Sequence, residues 1–99
     1  MNTANSAQSA ESVLTDLRES IARIDEAIVQ LLAARVNTGR EIALVKTSAD
    51  IPIHDAEQES RVIQRAVSCA RDLALPEADV AELFRRVIGM TRGAQYRAS

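Results

Sequence analysis

Arg35 and Lys46 are the two residues of this chain best spaced to do chemistry together. They stand eleven positions apart, about three turns of helix, so both point to the same side of one helix. That side is otherwise apolar. Leu14, Leu17, Ile21, Ile24, Ile28 and Leu31 recur at every third or fourth position, followed by Arg35, Thr38, Ile42 and Val45. Arg35 occupies a slot where the pattern calls for leucine, and Lys46 lies one residue past the seam. Cations on a buried face are costly unless they meet an opposite charge. The spacing therefore points to a site for an anion.

Three more polar residues fall on apolar stripes. Glu59 is in line with Val62, Ile63, Ala66 and Ala70, while Thr91 and Gln95 continue the stripe of Phe84, Val87 and Ile88. The plain alternative is an internal salt bridge, with Arg35 or Lys46 paired to Glu59. Arg18 borders the same seam as Arg35 but lies 17 residues earlier, about 25 Å along one helix. One chain cannot bring both to a small ligand, whereas an antiparallel dimer can. Taken alone, Arg18 reads as a solvated surface arginine. No nucleophile-and-base constellation is visible. The one histidine, His54, falls on a connection, and Cys69, among Val67, Ala70 and Leu73, reads as core filler.

Three helices are expected to carry these residues. The first has Ser9 or Ser12 as its cap and no Pro, and it runs past Gly39 to about Thr47. Pro52 breaks the connection SADIPIHD by forcing Ile51 out of helical geometry. Asp55 followed by Gln58 reads as a capping box opening the second helix, whose inner side carries Val62, Ile63, Ala66, Val67, Ala70 and Leu73. Pro76 suits the first position of the third helix, with Glu77 and Asp79 at its positive end. Residues 1–10 are small and polar and are expected to be a disordered tail, leaving 11–97 as one helical domain.

Composition narrows the class. With 99 residues there is room for one small core, and with 2% aromatics that core must be aliphatic. A net charge of -2, with bases interleaved among acids, argues against nucleic-acid binding. No apolar run approaches the roughly 20 residues of a membrane span. The N-terminus has neither the basic nor the apolar region of a secretory signal, and a single cysteine suits a reducing cytoplasm. A first helix of about 36 residues would extend roughly 54 Å, against a radius of gyration near 13 Å for a compact domain of this size. Two shorter helices cannot cover its seam, so an all-α, intertwined homodimer is expected, the alternative being a hairpin hinged at Gly39.

From about residue 14 to 96 the chain resembles the all-helical class of chorismate mutases. The resemblance is carried by LTDLRESIARIDEAIVQLLAAR, Lys46, IPIHDAEQE and LFRRVIGMTRGAQ. It implies a three-helix chain in an intertwined dimer and an isomerase that rearranges chorismate to prephenate, without metal or cofactor, in the pathway to aromatic amino acids. By that resemblance Arg35 and the partner subunit's Arg18 grip the two substrate carboxylates. Lys46 and Gln95 hydrogen-bond the ether oxygen. Glu59, with backbone at Asp55, holds the ring hydroxyl, and Thr91 stands where the family usually has a serine near a carboxylate. One departure is Gln58, where the family usually has arginine. Losing that cation beside Glu59 is expected to weaken turnover of chorismate or to favour an amine on the ring. Two related activities are therefore alternatives, aminodeoxychorismate mutase and, ranked lower because Glu59 fits the mutase pattern, isochorismate pyruvate-lyase. A non-catalytic helical dimer is another alternative, and a partner synthase is left open.

Overall fold

The structure, a computed structural model, describes residues 3–98. Three helices follow in order: α1 over Thr3–Ser48, α2 over Ala56–Asp72 and α3 over Glu77–Ala98. The expected all-α architecture is thus observed. Helix α1 begins well before Ser9 or Ser12, so residues 3–10 belong to its first turns rather than to a tail. Nothing in that stretch stops a helix: it has no Pro or Gly, and Ala7, Gln8 and Ala10 are good helix formers. Residues 1 and 2 of the expected tail lie outside the described residues. Among the described residues no helix is long and apolar enough to cross a membrane.

The chain divides into two compact units, Met1–Ala33 and Ala34–Ser99. In the first, the apolar stripe of α1 is uncovered: Leu14, Leu17, Ile21, Ile24, Ile28 and Leu31 are all exposed. In the second, the last turns of α1 pack with α2 and α3. Its core is small and built largely of alanine, from Ala43, Ala66, Ala70, Ala81 and Ala94 with Val87 and Ile88. Short side chains let helix axes approach closely. The inner line of α1 here is Arg35, Gly39, Ala43 and Lys46, and the seam residue Val45 is exposed. A helix of 3.6 residues per turn drifts away from a strict seven-residue repeat, which explains the change of register. Cys69 and Leu73 are likewise exposed rather than core, because the buried side of α2 is the Ala66–Ala70 line.

Backbone chemistry sets both connections. At the end of α1, Ile51 N donates to Lys46 O at 2.8 Å and Asp50 N to Thr47 O at 3.3 Å, around Asp50 at φ 55. The end of α2 repeats this: Leu75 N donates to Ala70 O at 2.8 Å and Ala74 N to Arg71 O at 3.2 Å, around Ala74 at φ 57. Both are Schellman motifs with a left-handed residue after the cap. Asp tolerates that conformation better than Ala, which has no local polar group to compensate. Helix α2 starts on Asp55, whose side chain accepts from Gln58 N at 3.0 Å. The Gln58 side-chain oxygen accepts from Arg61 Nε at 3.2 Å, so the observed cap is the Asp55 half of the expected box. Pro76 lies just outside α3, where its carbonyl accepts from Val80 N at 3.1 Å.

At Gly39, α1 approaches α3 closely. A Cβ there would overlap Thr91 Cγ2 and sit 3.7 Å from Gln95 Cγ. Thr91 cannot easily yield, since it is β-branched and buried and its hydroxyl is bonded on both sides. Gly39→Ala should therefore lower the thermal midpoint, although alanine is the better helix former by about 1 kcal/mol. Adding Thr91→Ser, which removes the opposing methyl, should recover most of the loss in a double-mutant cycle. Ala74→Gly, by contrast, should stabilise the chain by about 1 kcal/mol, read from a denaturant midpoint.

Candidate functional site

All of the expected site residues except Arg18 lie in the unit Ala34–Ser99 and line one cavity of about 270 Å³. Helix α1 contributes Arg35, Thr38, Gly39, Ile42 and Lys46, α2 contributes Gln58, Glu59 and Val62, and α3 contributes Ile88, Thr91, Arg92 and Gln95. The connection before α2 adds Ile53 and Asp55. Arg18 belongs to the unit Met1–Ala33 and is exposed.

The two α1 cations at the cavity, Arg35 and Lys46, are held by neutral oxygens. The Arg35 Nη1 donates to the Thr91 hydroxyl, which in turn donates to Val87 O at 3.1 Å. Thr91 thus spends its proton on its own helix and offers a lone pair to Arg35, which fixes the guanidinium at the cavity wall. Lys46 Nζ donates to Ile53 O at 3.1 Å, which leaves two of its three N–H groups uncommitted to that bond. Among the described residues, the ion pairs join Glu59 to Arg92 and Arg71 to Glu77, with His54 near Glu59 as well and paired to it when protonated. The alternative of an internal bridge from Arg35 or Lys46 to Glu59 is therefore not what the chain adopts.

Gln95 is oriented by the same close approach that requires Gly39. Its Nε2 donates to Gly39 O at 3.0 Å, so the amide nitrogen faces α1 and keeps its second N–H for another acceptor. The cavity wall therefore presents a guanidinium, an ammonium and an amide N–H. Such donors suit an acceptor-rich, anionic guest. Among the described residues no group of three or more His, Cys, Asp or Glu side chains could hold a metal ion.

Glu59 is bound from α3. Arg92 Nε donates to its Oε2 at 3.1 Å and Arg92 Nη2 to its Oε1, a two-pronged carboxylate clamp. His54 Nε2 stands 3.7 Å from Oε1. The Arg92 hydrogen bonds hold the Glu59 carboxyl below its ordinary value against the opposing effect of burial, and the charges of Arg92 and His54 add to this. The same bonds raise Arg92. Sequence reasoning missed Arg92, although its spacing was informative. It lies four residues after Ile88 and three before Gln95, on the inner stripe of α3.

Comparison with known proteins agrees with this geometry. The family described as chorismate mutase type II matches residues 17–96. A bifunctional chorismate mutase/prephenate dehydratase of Aquifex aeolicus is 30% identical over 78 residues, covering 76% of this chain and 22% of that protein. An Enterobacter agglomerans protein described as T-protein is 32% identical over 75 residues, covering 76% of this chain and 20% of its own length. A chorismate mutase of Methanocaldococcus jannaschii is 27% identical over 82 residues, covering 83% of each. The chain thus spans about a fifth of the first two relatives and most of the third. No solved structure matches it at a significant level. With 80 consecutive positions matched and the cationic cavity among them, this chain belongs to the chorismate mutase type II family.

Proposed function

We propose that this chain is a chorismate mutase, with residues 11–97 as the catalytic domain and an intertwined homodimer as the working form. The observation that carries the reading is the pair of cations on α1, Arg35 and Lys46, set at one cavity with Gln95 and bonded to neutral oxygens. The M. jannaschii relative of similar extent is named for the same activity, and the longer Aquifex aeolicus relative is named as pairing it with prephenate dehydratase.

The rearrangement of chorismate is unimolecular and needs neither nucleophile nor general base. It needs the substrate folded into a compact conformer, which supplies orientation. It also needs positive charge against the ether oxygen, where negative charge grows as the bond breaks. Lys46 and Gln95 retain N–H groups for that oxygen, and Arg35 suits a carboxylate through its planar fork. Thr91 acts here by orienting Arg35. Glu59 remains an anion, able to accept a hydrogen bond from the ring hydroxyl beside Asp55.

Charge counting supports the dimer. The cavity is lined by three cations, Arg35, Lys46 and Arg92, against two carboxylates, Asp55 and Glu59, a balance of +1 for a substrate with two carboxylates. A further cation is wanted, and the partner subunit's Arg18 supplies it in this reading. The uncovered stripe of α1, from Leu14 to Leu31, supplies the apolar surface such a dimer would bury.

Purified protein given chorismate should yield prephenate, followed by loss of substrate absorbance and product identification. Lys46→Ala should lower kcat by about 10²- to 10³-fold with helical content unchanged. An absence of prephenate, or an active Lys46→Ala protein, would overturn the reading. If the site is shared, two inactive variants, Arg18→Ala and Lys46→Ala, should complement when refolded together. Random pairing leaves about a quarter of sites intact, so about a quarter of wild-type activity should return. No recovery would assign Arg18 to the surface.

A further inference from the structure

Gln58 lines the cavity beside Glu59 but carries no charge, and its side-chain oxygen accepts from Arg61 Nε at 3.2 Å. The charge that stands there comes from another helix. Arg92 of α3 clamps both oxygens of Glu59 and lines the same cavity. We propose that Arg92 is the specificity-determining residue of this site, setting its preference for a neutral hydroxyl over an ammonium on the substrate ring. This deepens the mutase reading and rests on it.

The argument is one of charge and donor geometry. A hydroxyl at the ring carbon facing Glu59 donates one hydrogen bond and carries no charge. Each Glu59 oxygen accepts one bond from Arg92 and keeps capacity for another, so the carboxylate can serve Arg92 and the hydroxyl together. An ammonium in the same place would gain the attraction of Glu59 and meet the guanidinium paired to it. Lys46 from α1 adds a further positive charge at the same cavity, while Asp55 is engaged at the helix cap. With Glu59 already neutralised by its clamp, the surroundings offer the ammonium little net attraction. The substitution of Gln58 for arginine, which by itself predicts tolerance of an amine, is thereby offset from α3.

Arg92 also keeps Glu59 in its acceptor form at lower pH. Its removal raises the pH at which Glu59 gains a proton, and activity that needs the carboxylate is then lost earlier as pH falls. The sign is fixed: the acid limb of the profile moves upward without Arg92.

The experiment compares wild type, Arg92→Gln and Arg92→Lys on chorismate and on 4-amino-4-deoxychorismate, with kcat and KM for each. The ratio of kcat/KM between the two substrates cancels any loss of folded protein, so partial unfolding of a variant does not obscure the result. Wild type should prefer chorismate. Arg92→Gln should shift the ratio toward the amine by about tenfold or more, raise KM for chorismate and move the acid limb of kcat/KM to higher pH. Arg92→Lys, which keeps the charge and loses the fork, should restore most of the discrimination. A wild type that prefers the amine, or an Arg92→Gln protein with unchanged ratio and acid limb, overturns the proposal while leaving the mutase reading intact. Turnover of neither substrate by wild type overturns both.

Discussion

The site depends on a place where a side chain is missing. At Gly39, α1 lies against α3 closely enough that a methyl group would overlap Thr91. That approach lets Gln95 reach the Gly39 carbonyl and brings the Arg35 guanidinium to the Thr91 hydroxyl. Two of the groups at the cavity are thus oriented by one backbone contact. The alanine core around it, Ala43 with Ala66, Ala70, Ala81 and Ala94, keeps the helices at the short separation the contact requires.

Electrostatics then follows from who is paired with whom. Glu59 and Asp55 are the carboxylates at the cavity, and each is engaged, one by Arg92 and one by the α2 backbone. Arg35 and Lys46 are left with neutral oxygens. Because Arg92 takes Glu59, Arg35 and Lys46 leave a positive wall at the cavity. Preorganised donors of this kind are worth most when water is excluded, so their strength depends on what covers the open side.

The core of a single chain is thin. Its buried residues are mostly alanines, while Leu83, Leu75, Met90 and the stripe from Leu14 to Leu31 remain exposed. Apolar area on that scale is the usual mark of an interface. In such an arrangement the residues that give the chain its stability and those that complete its site belong to the same surface.

Periodicity alone was enough to read three helices, the α1 stripe and the inner positions of Arg35, Lys46, Glu59, Thr91 and Gln95, because helical spacing maps sequence directly onto a face. The Asp55 cap of α2 was legible too, since it acts on its nearest neighbours, whereas the start of α1, which lies before Ser9 and Ser12, was not. What sequence could not supply was distance across helices. That Gly39 meets Thr91, that Arg92 rather than Arg35 or Lys46 takes Glu59, and that Cys69 lies outside the core are each decided by which faces pack. A face is a property of one helix, set by local geometry. A partner is a property of two, and only the tertiary structure chooses it.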